Sequence, residues 1–79
     1  MELQGIIEEI IFRNEDNGYT VAVLSHNENG FDEYTTIVGT LSDAKVGQCY
    51  KLNGKIVNSK YGEQFAFSTA EVIYPNTLS

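Results

Sequence analysis

Tryptophan is absent from this 79-residue chain, and cysteine, histidine, proline and methionine occur once each. A lone Cys49 excludes an internal disulfide and a cysteine-built zinc site, so packing alone has to hold the core, as expected of a protein in the reducing cytoplasm. A lone histidine, His26, leaves any nucleophile with a single imidazole as its base. Its place beside Asn27-Glu28-Asn29 reads as a polar surface turn. No apolar run approaches the roughly 20 residues that span a membrane. The start Met1-Glu2-Leu3-Gln4 lacks the basic opening of a signal peptide, so no membrane partner is expected.

Cations are scarce as well. Five Lys and Arg face eleven Asp and Glu, a formal net charge of -6, which opposes dominant non-specific binding to nucleic acid. The charge is unevenly spread. Residues 1–40 hold eight acids against Arg13 alone, whereas residues 41–79 hold four lysines against Asp43, Glu63 and Glu71. An anionic ligand would therefore be met by the second half.

What the chain does have is 42% hydrophobic and 11% aromatic residues, enough to fill one small core and too little length for a second. The apolar, β-branched run Ile6-Ile7-Glu8-Glu9-Ile10-Ile11-Phe12 is separated from Tyr19-Thr20-Val21-Ala22-Val23-Leu24 by a polar stretch ending in Asn17-Gly18. That pair predicts a tight hairpin turn. Five strands follow from such punctuation: about 3–14, 19–27, 33–40, 48–59 and 64–74. Gly5 predicts a bulge or sharp coil in the first strand. Asn29-Gly30 and Lys60-Tyr61-Gly62-Glu63 mark further turns, and Pro75 ends the last strand. Between strands 3 and 4, residues 41–47 leave room for about one helical turn, with Ser42 as N-cap and Gly47 as stop. Strand 4 alternates Tyr50, Leu52 and Ile56 with Lys51, Asn53 and Lys55, which predicts one buried and one cationic face.

Strand, strand, strand, short connector, strand, strand, with the first and fourth long enough to bend, is the pattern of an all-β, five-stranded antiparallel barrel of the OB-fold type. An SH3-like barrel is its nearest rival. The barrel is expected over residues 1–75, with 76–79 beginning a linker.

Catalytic and metal motifs do not fit. Gly54-Lys55 lacks the glycine and the Ser or Thr of a phosphate loop, for Cys49 and Ile56 occupy those positions. A calcium loop ending its turn at Gly18 would start on Arg13 and close on Leu24. Glu8 and Glu9, adjacent on a strand, are expected on opposite faces. Cys49 reads as a small apolar residue.

The remaining constellation is Lys51, Asn53, Lys55, Lys60 and Tyr61, with Arg13 and Tyr19 flanking the first hairpin. Cations interleaved with aromatics are what a single-strand groove needs, since phosphates require charge and unstacked bases require flat partners. Phe65 and Phe67 share one face and are expected in the core. The competing expectation is a protein-docking surface made by Glu8, Glu9, Glu15, Asp16, Glu28, Asp32 and Glu33, suited to a basic partner.

Two motifs at this separation, Asn17-Gly18-Tyr19-Thr20-Val21 and Tyr61-Gly62-Glu63-Gln64-Phe65, together with Ile37-Val38-Gly39 and Leu52-Asn53-Gly54, resemble the N-terminal region of RecD-like (RecD/TraA-type) ATP-dependent DNA helicases. The resemblance runs from about Leu3 to Pro75. It departs at Ile56, where that pattern often has Trp, and at Ser59, where it often has His. It implies a non-catalytic OB-like domain at the front of a 5′ to 3′ motor that acts in DNA repair. The helical DNA-binding segment and the motor domains would follow Ser79, and ATP and magnesium would be theirs. It also implies weak contact with single-stranded DNA. No residue here matches the family's ATP-binding positions.

Overall fold

The computed structural model describes residues 1–42, 44–60 and 62–74. Five strands form: β1 Glu2–Arg13, β2 Tyr19–Glu28, β3 Phe31–Thr40, β4 Cys49–Ser59 and β5 Gly62–Val72. They close into a barrel in the order β1-β2-β3-β5-β4. The all-β, five-stranded OB-like architecture is therefore observed, antiparallel at four seams, with one correction: β3 and β5 run parallel where they meet. Pro75, the residues 76–79 assigned to a linker, and Tyr61 lie outside the described residues.

Closure depends on β1. Its residues 2–6 pair with β4, from Glu2↔Asn53 to Ile6↔Cys49, and its residues 6–13 pair with β2. The strand changes partners at Gly5 and Ile6, and a Cβ on Gly5 would run into the Ser25 carbonyl oxygen, with Leu24 Cγ at 3.0 Å. Only glycine lets the two strands approach so closely. Beyond it the ladder slips between Ile7 and Glu9 and again between Ile10 and Phe12. Each slip is a bulge that adds one residue and turns the strand around the barrel. The bulges correct the expectation for Glu8 and Glu9: with alternation broken, both are exposed instead of facing opposite sides.

The turns divide their chemistry differently from the sequence reading. Between β1 and β2 the loop is longer than the tight turn expected at Asn17-Gly18. The Gly18 N–H donates to the Asn14 carbonyl at 2.8 Å, and Asn14 N–H donates to the Tyr19 carbonyl at 2.8 Å. Gly18 alone takes a positive φ, 78°. Asn17 instead accepts from Tyr19 N–H through its side chain, at 2.9 Å. The two-residue turn with both φ positive is at Asn29 (54°) and Gly30 (85°), which joins β2 and β3 in an unbroken register from Tyr19↔Thr40 to Glu28↔Phe31. Such a turn matches the twist of its strands.

The connector after β3 carries turns and no helix among its described residues, correcting the expected helical turn. Its backbone is committed elsewhere. Gly47 N–H donates to the Ile7 carbonyl at 2.8 Å, and Ile7 N–H donates to the Gln48 carbonyl at 3.0 Å. Leu41 and Ala44 are buried and close one end of the barrel, against a core of Ile7, Ala22, Leu24, Ile37, Tyr50, Leu52, Phe65 and Phe67. Thr20 is buried with them, its hydroxyl 3.0 Å from the Gly18 carbonyl oxygen.

Ile56 departs from the buried face expected of it. It is 41% exposed, because its ladder partner Phe65 fills the interior at that level and Ile56 stands at the rim, over a recess shared with Leu3 and Thr35. In β5 the pairing jumps from Asn53↔Thr69 to Gly54↔Phe67. At Gly54 a Cβ would strike the Ala66 carbonyl and lie 2.6 Å from Phe67 Cα.

Two substitutions separate steric from conformational demand. Gly54→Ala is expected to lower stability by about 2–3 kcal/mol through overpacking, and Gly30→Ala by about 1–2 kcal/mol through its positive φ alone. Urea midpoints at unchanged slope measure both.

Candidate nucleic-acid interface

A ladder row crosses the outer surface of the barrel. Phe12 on β1 lies opposite Val21 on β2, Val21 opposite Val38 on β3, Val38 opposite Ala66 on β5, and Ala66 opposite Lys55 on β4. Tyr19 stands two residues from Val21 and Thr36 two from Val38, so all four share the outward face of the β2–β3 hairpin. The second bulge gives this face its wall: with Ile11 the extra residue, Ile11 and Phe12 are both outward, at 56% and 52% exposure.

On the other side the β4–β5 hairpin leans over the same face. β5 meets β3 through only two register pairs, Ile37↔Phe65 and Val38↔Ala66, so the hairpin end is free to stand away from β3. Between the walls lies a groove of about 780 Å³. Tyr19, Val21, Thr36 and Val38 form its floor, Ile11 and Phe12 one wall, and Ser59, Lys60, Glu63 and Gln64 the other. It is an apolar trough with one cation and one carboxylate among its described lining residues. In OB-folds this position, on strands 2 and 3 between the β1–β2 and β4–β5 loops, is the one that binds oligonucleotides and oligosaccharides.

The structure divides the residues singled out from the sequence. Tyr19, 40% exposed, and Lys60 line the groove. Lys55 shares the ladder row but stands two strands from Val38, roughly 10 Å away. Lys51 lies on the far side, opposite Gln4 on β1 and Glu71 on β5, with its Nζ 3.2 Å from a Glu2 carboxylate oxygen. Arg13 turns away as well: its Nη1 is 3.5 Å from the Ala44 carbonyl oxygen at the closed end of the barrel. Phe65 and Phe67 are in the core, as their shared face implied.

The described acidic residues of the expected docking surface are spread over three places. Glu8 and Glu9 sit on the bulged part of β1, Glu15 and Asp16 in the next loop, and Asp32 and Glu33 at the opposite end of the β2–β3 hairpin. The side chain of Glu28 lies outside the described residues. His26 is half-buried, with Nε2 2.7 Å from Thr35 Oγ1. Among the described residues no three His, Cys, Asp or Glu gather as metal ligands would.

Phe12, Ile11, Val21 and Val38 were missed in the sequence because strict alternation assigns outward positions to polar residues. One signal pointed to the two on β1. Ile10-Ile11-Phe12 places three large apolar residues in succession, which a period of two cannot bury together.

Exposed rings and core rings should answer differently to truncation. Phe12→Ala and Tyr19→Ala are each expected to change folding stability by no more than about 1 kcal/mol, against about 3–5 kcal/mol for Phe65→Ala. Chemical denaturation of the three variants measures this.

The model of the OB-fold domain of the ATP-dependent DNA helicase YrrC matches residues 1–75. The comparisons with curated proteins and with solved structures gave no match. Strand order, the placement of the groove and this match agree, and the chain belongs to the family of OB-fold domains of ATP-dependent DNA helicases of the YrrC type.

Proposed function

We propose that this barrel is the accessory domain of a RecD-like helicase that moves 5′ to 3′, and that it touches single-stranded DNA weakly through the β2–β3 groove. The observation that carries the reading is the pair of half-exposed rings, Phe12 and Tyr19, standing with Lys60 around a trough at the oligonucleotide-binding position of the fold. Lys55 extends the cationic rim. Lys51 and Arg13 play no part in it, because one is paired with Glu2 and the other faces the Ala44 carbonyl.

In this reading the domain performs no chemistry. ATP and magnesium are bound by motor domains beyond Ser79, and the barrel meets the strand as it enters or leaves them in the cytoplasm. Two stacked bases supply about 2–6 kcal/mol at about 1–3 kcal/mol each, part of which is lost to immobilisation. The contact is therefore near-millimolar and matters only because the tether keeps the strand close.

One observation favours a second reading, docking onto a basic protein surface. The net charge is -6 and Glu63 stands in the groove wall itself, so the groove repels phosphate and suits a cationic partner.

Titration with labelled dT oligonucleotides separates the two. The first reading expects the amide signals of Val21, Val38 and Lys60 to shift at millimolar ligand, and an absence of shifts there removes it. The second expects that deleting the barrel from the full helicase alters ATP hydrolysis while DNA affinity stays the same.

A further inference from the structure

Resting on the single-strand reading, we infer that the groove holds the bases of the strand and leaves its phosphates in water, so that its ligand is a short unpaired stretch gripped by stacking with little ionic contribution. The placement of the cations argues for this. Of five Lys and Arg in the chain, Lys51 is paired with Glu2 on the far side and Arg13 faces the Ala44 carbonyl. Lys45 is in the connector at the closed end of the barrel. Only Lys60 lines the groove, with Lys55 two strands away.

Opposing charge stands beside it. Glu63 is in the wall, Glu9 lies opposite Val23 on the same outer face, and Glu15 and Asp16 are in the loop just before Tyr19. A backbone laid along the floor would run its phosphates between these carboxylates and over Val21 and Val38, which offer no donor. A strand turned the other way meets flat apolar surface. Phe12 is one strand across from Val21, and Tyr19 is two residues along from it, so the two ring-bearing positions are roughly 8 Å apart. That separation lets each ring take one of two neighbouring bases in an extended strand, with phosphates outward and one edge toward Lys60.

Two consequences distinguish a base-held strand from a phosphate-held one. Neutralising at most two phosphates on a single strand gives a salt slope of about 1.4 or less, so affinity falls by no more than about sevenfold between 50 and 200 mM salt. Removing the bases while keeping the phosphates should abolish binding.

The experiment titrates the 79-residue chain with a dT oligonucleotide and with an abasic oligonucleotide of equal length, at both salt concentrations, following the Val21 and Val38 amides. Expected are shifts with dT only, a salt effect within about sevenfold, and at least about fivefold weaker binding in both Phe12→Ala and Tyr19→Ala. Lys55→Ala and Lys60→Ala combined should cost less than the two ring variants combined. The inference is overturned, with the single-strand reading intact, if the abasic strand binds as tightly as dT or if the salt effect exceeds that bound. Silence from both oligonucleotides overturns the single-strand reading itself. If in addition the ring variants alter ATP hydrolysis by the full helicase, the groove belongs to a protein partner.

Discussion

The close approach of β1 to the β2 backbone at Gly5 is the constraint on which the rest of this molecule depends. One strand has to pair with β4 through its first residues and with β2 through the remainder, and that exchange of neighbours closes the cylinder. A side chain at the corner would push against the Ser25 carbonyl and Leu24. The two bulges beyond the corner continue the bend. They also decide which residues of β1 face water, so the same geometry that closes the core builds the apolar wall of Ile11 and Phe12 beside the groove.

Function in such a domain comes from position more than from reactive groups. The core is occupied by Tyr50, Leu52, Phe65, Ile7, Leu24 and Ile37, and what remains for a partner is the outer face of two hairpins. Away from that face, Lys51 is engaged locally, with Glu2. An exposed pair of this kind contributes little to stability. Its effect is to remove a cation from any account of DNA binding based on counting charges.

Much of the fold was legible because its signals are local. β-branched runs bounded by Asn-Gly and Gly-containing turns placed all five strands within two residues of their observed bounds. Tyr50, Leu52, Phe65 and Phe67 were assigned inward by simple alternation, as the structure has them. The groove was only half legible. Tyr19 and Lys60 were identified, but Lys51 and Arg13 could not be told from them, because which side of the cylinder a strand position faces depends on closing pairs far away in sequence. Bulges at Glu8 and Ile11 are set by the curvature that β1 must follow around its neighbours, so its own residues do not announce them. The connector misled for a related reason: a stretch with an N-cap and a stop looks helical until its backbone donors and acceptors are claimed by Ile7.

The two-pair seam between β3 and β5 bears on how the trough can adapt. Its opposite banks belong to hairpins joined along that line by the least extensive lacing in the barrel, while the packed interior lies beneath and to one side. Phe65 lies on this seam and is buried, so widening or narrowing the channel falls to the part of the β4–β5 arm beyond Phe65, toward its turn, and leaves that ring where it is. A scaffold built this way can accept occupants of different girth without loosening its foundation.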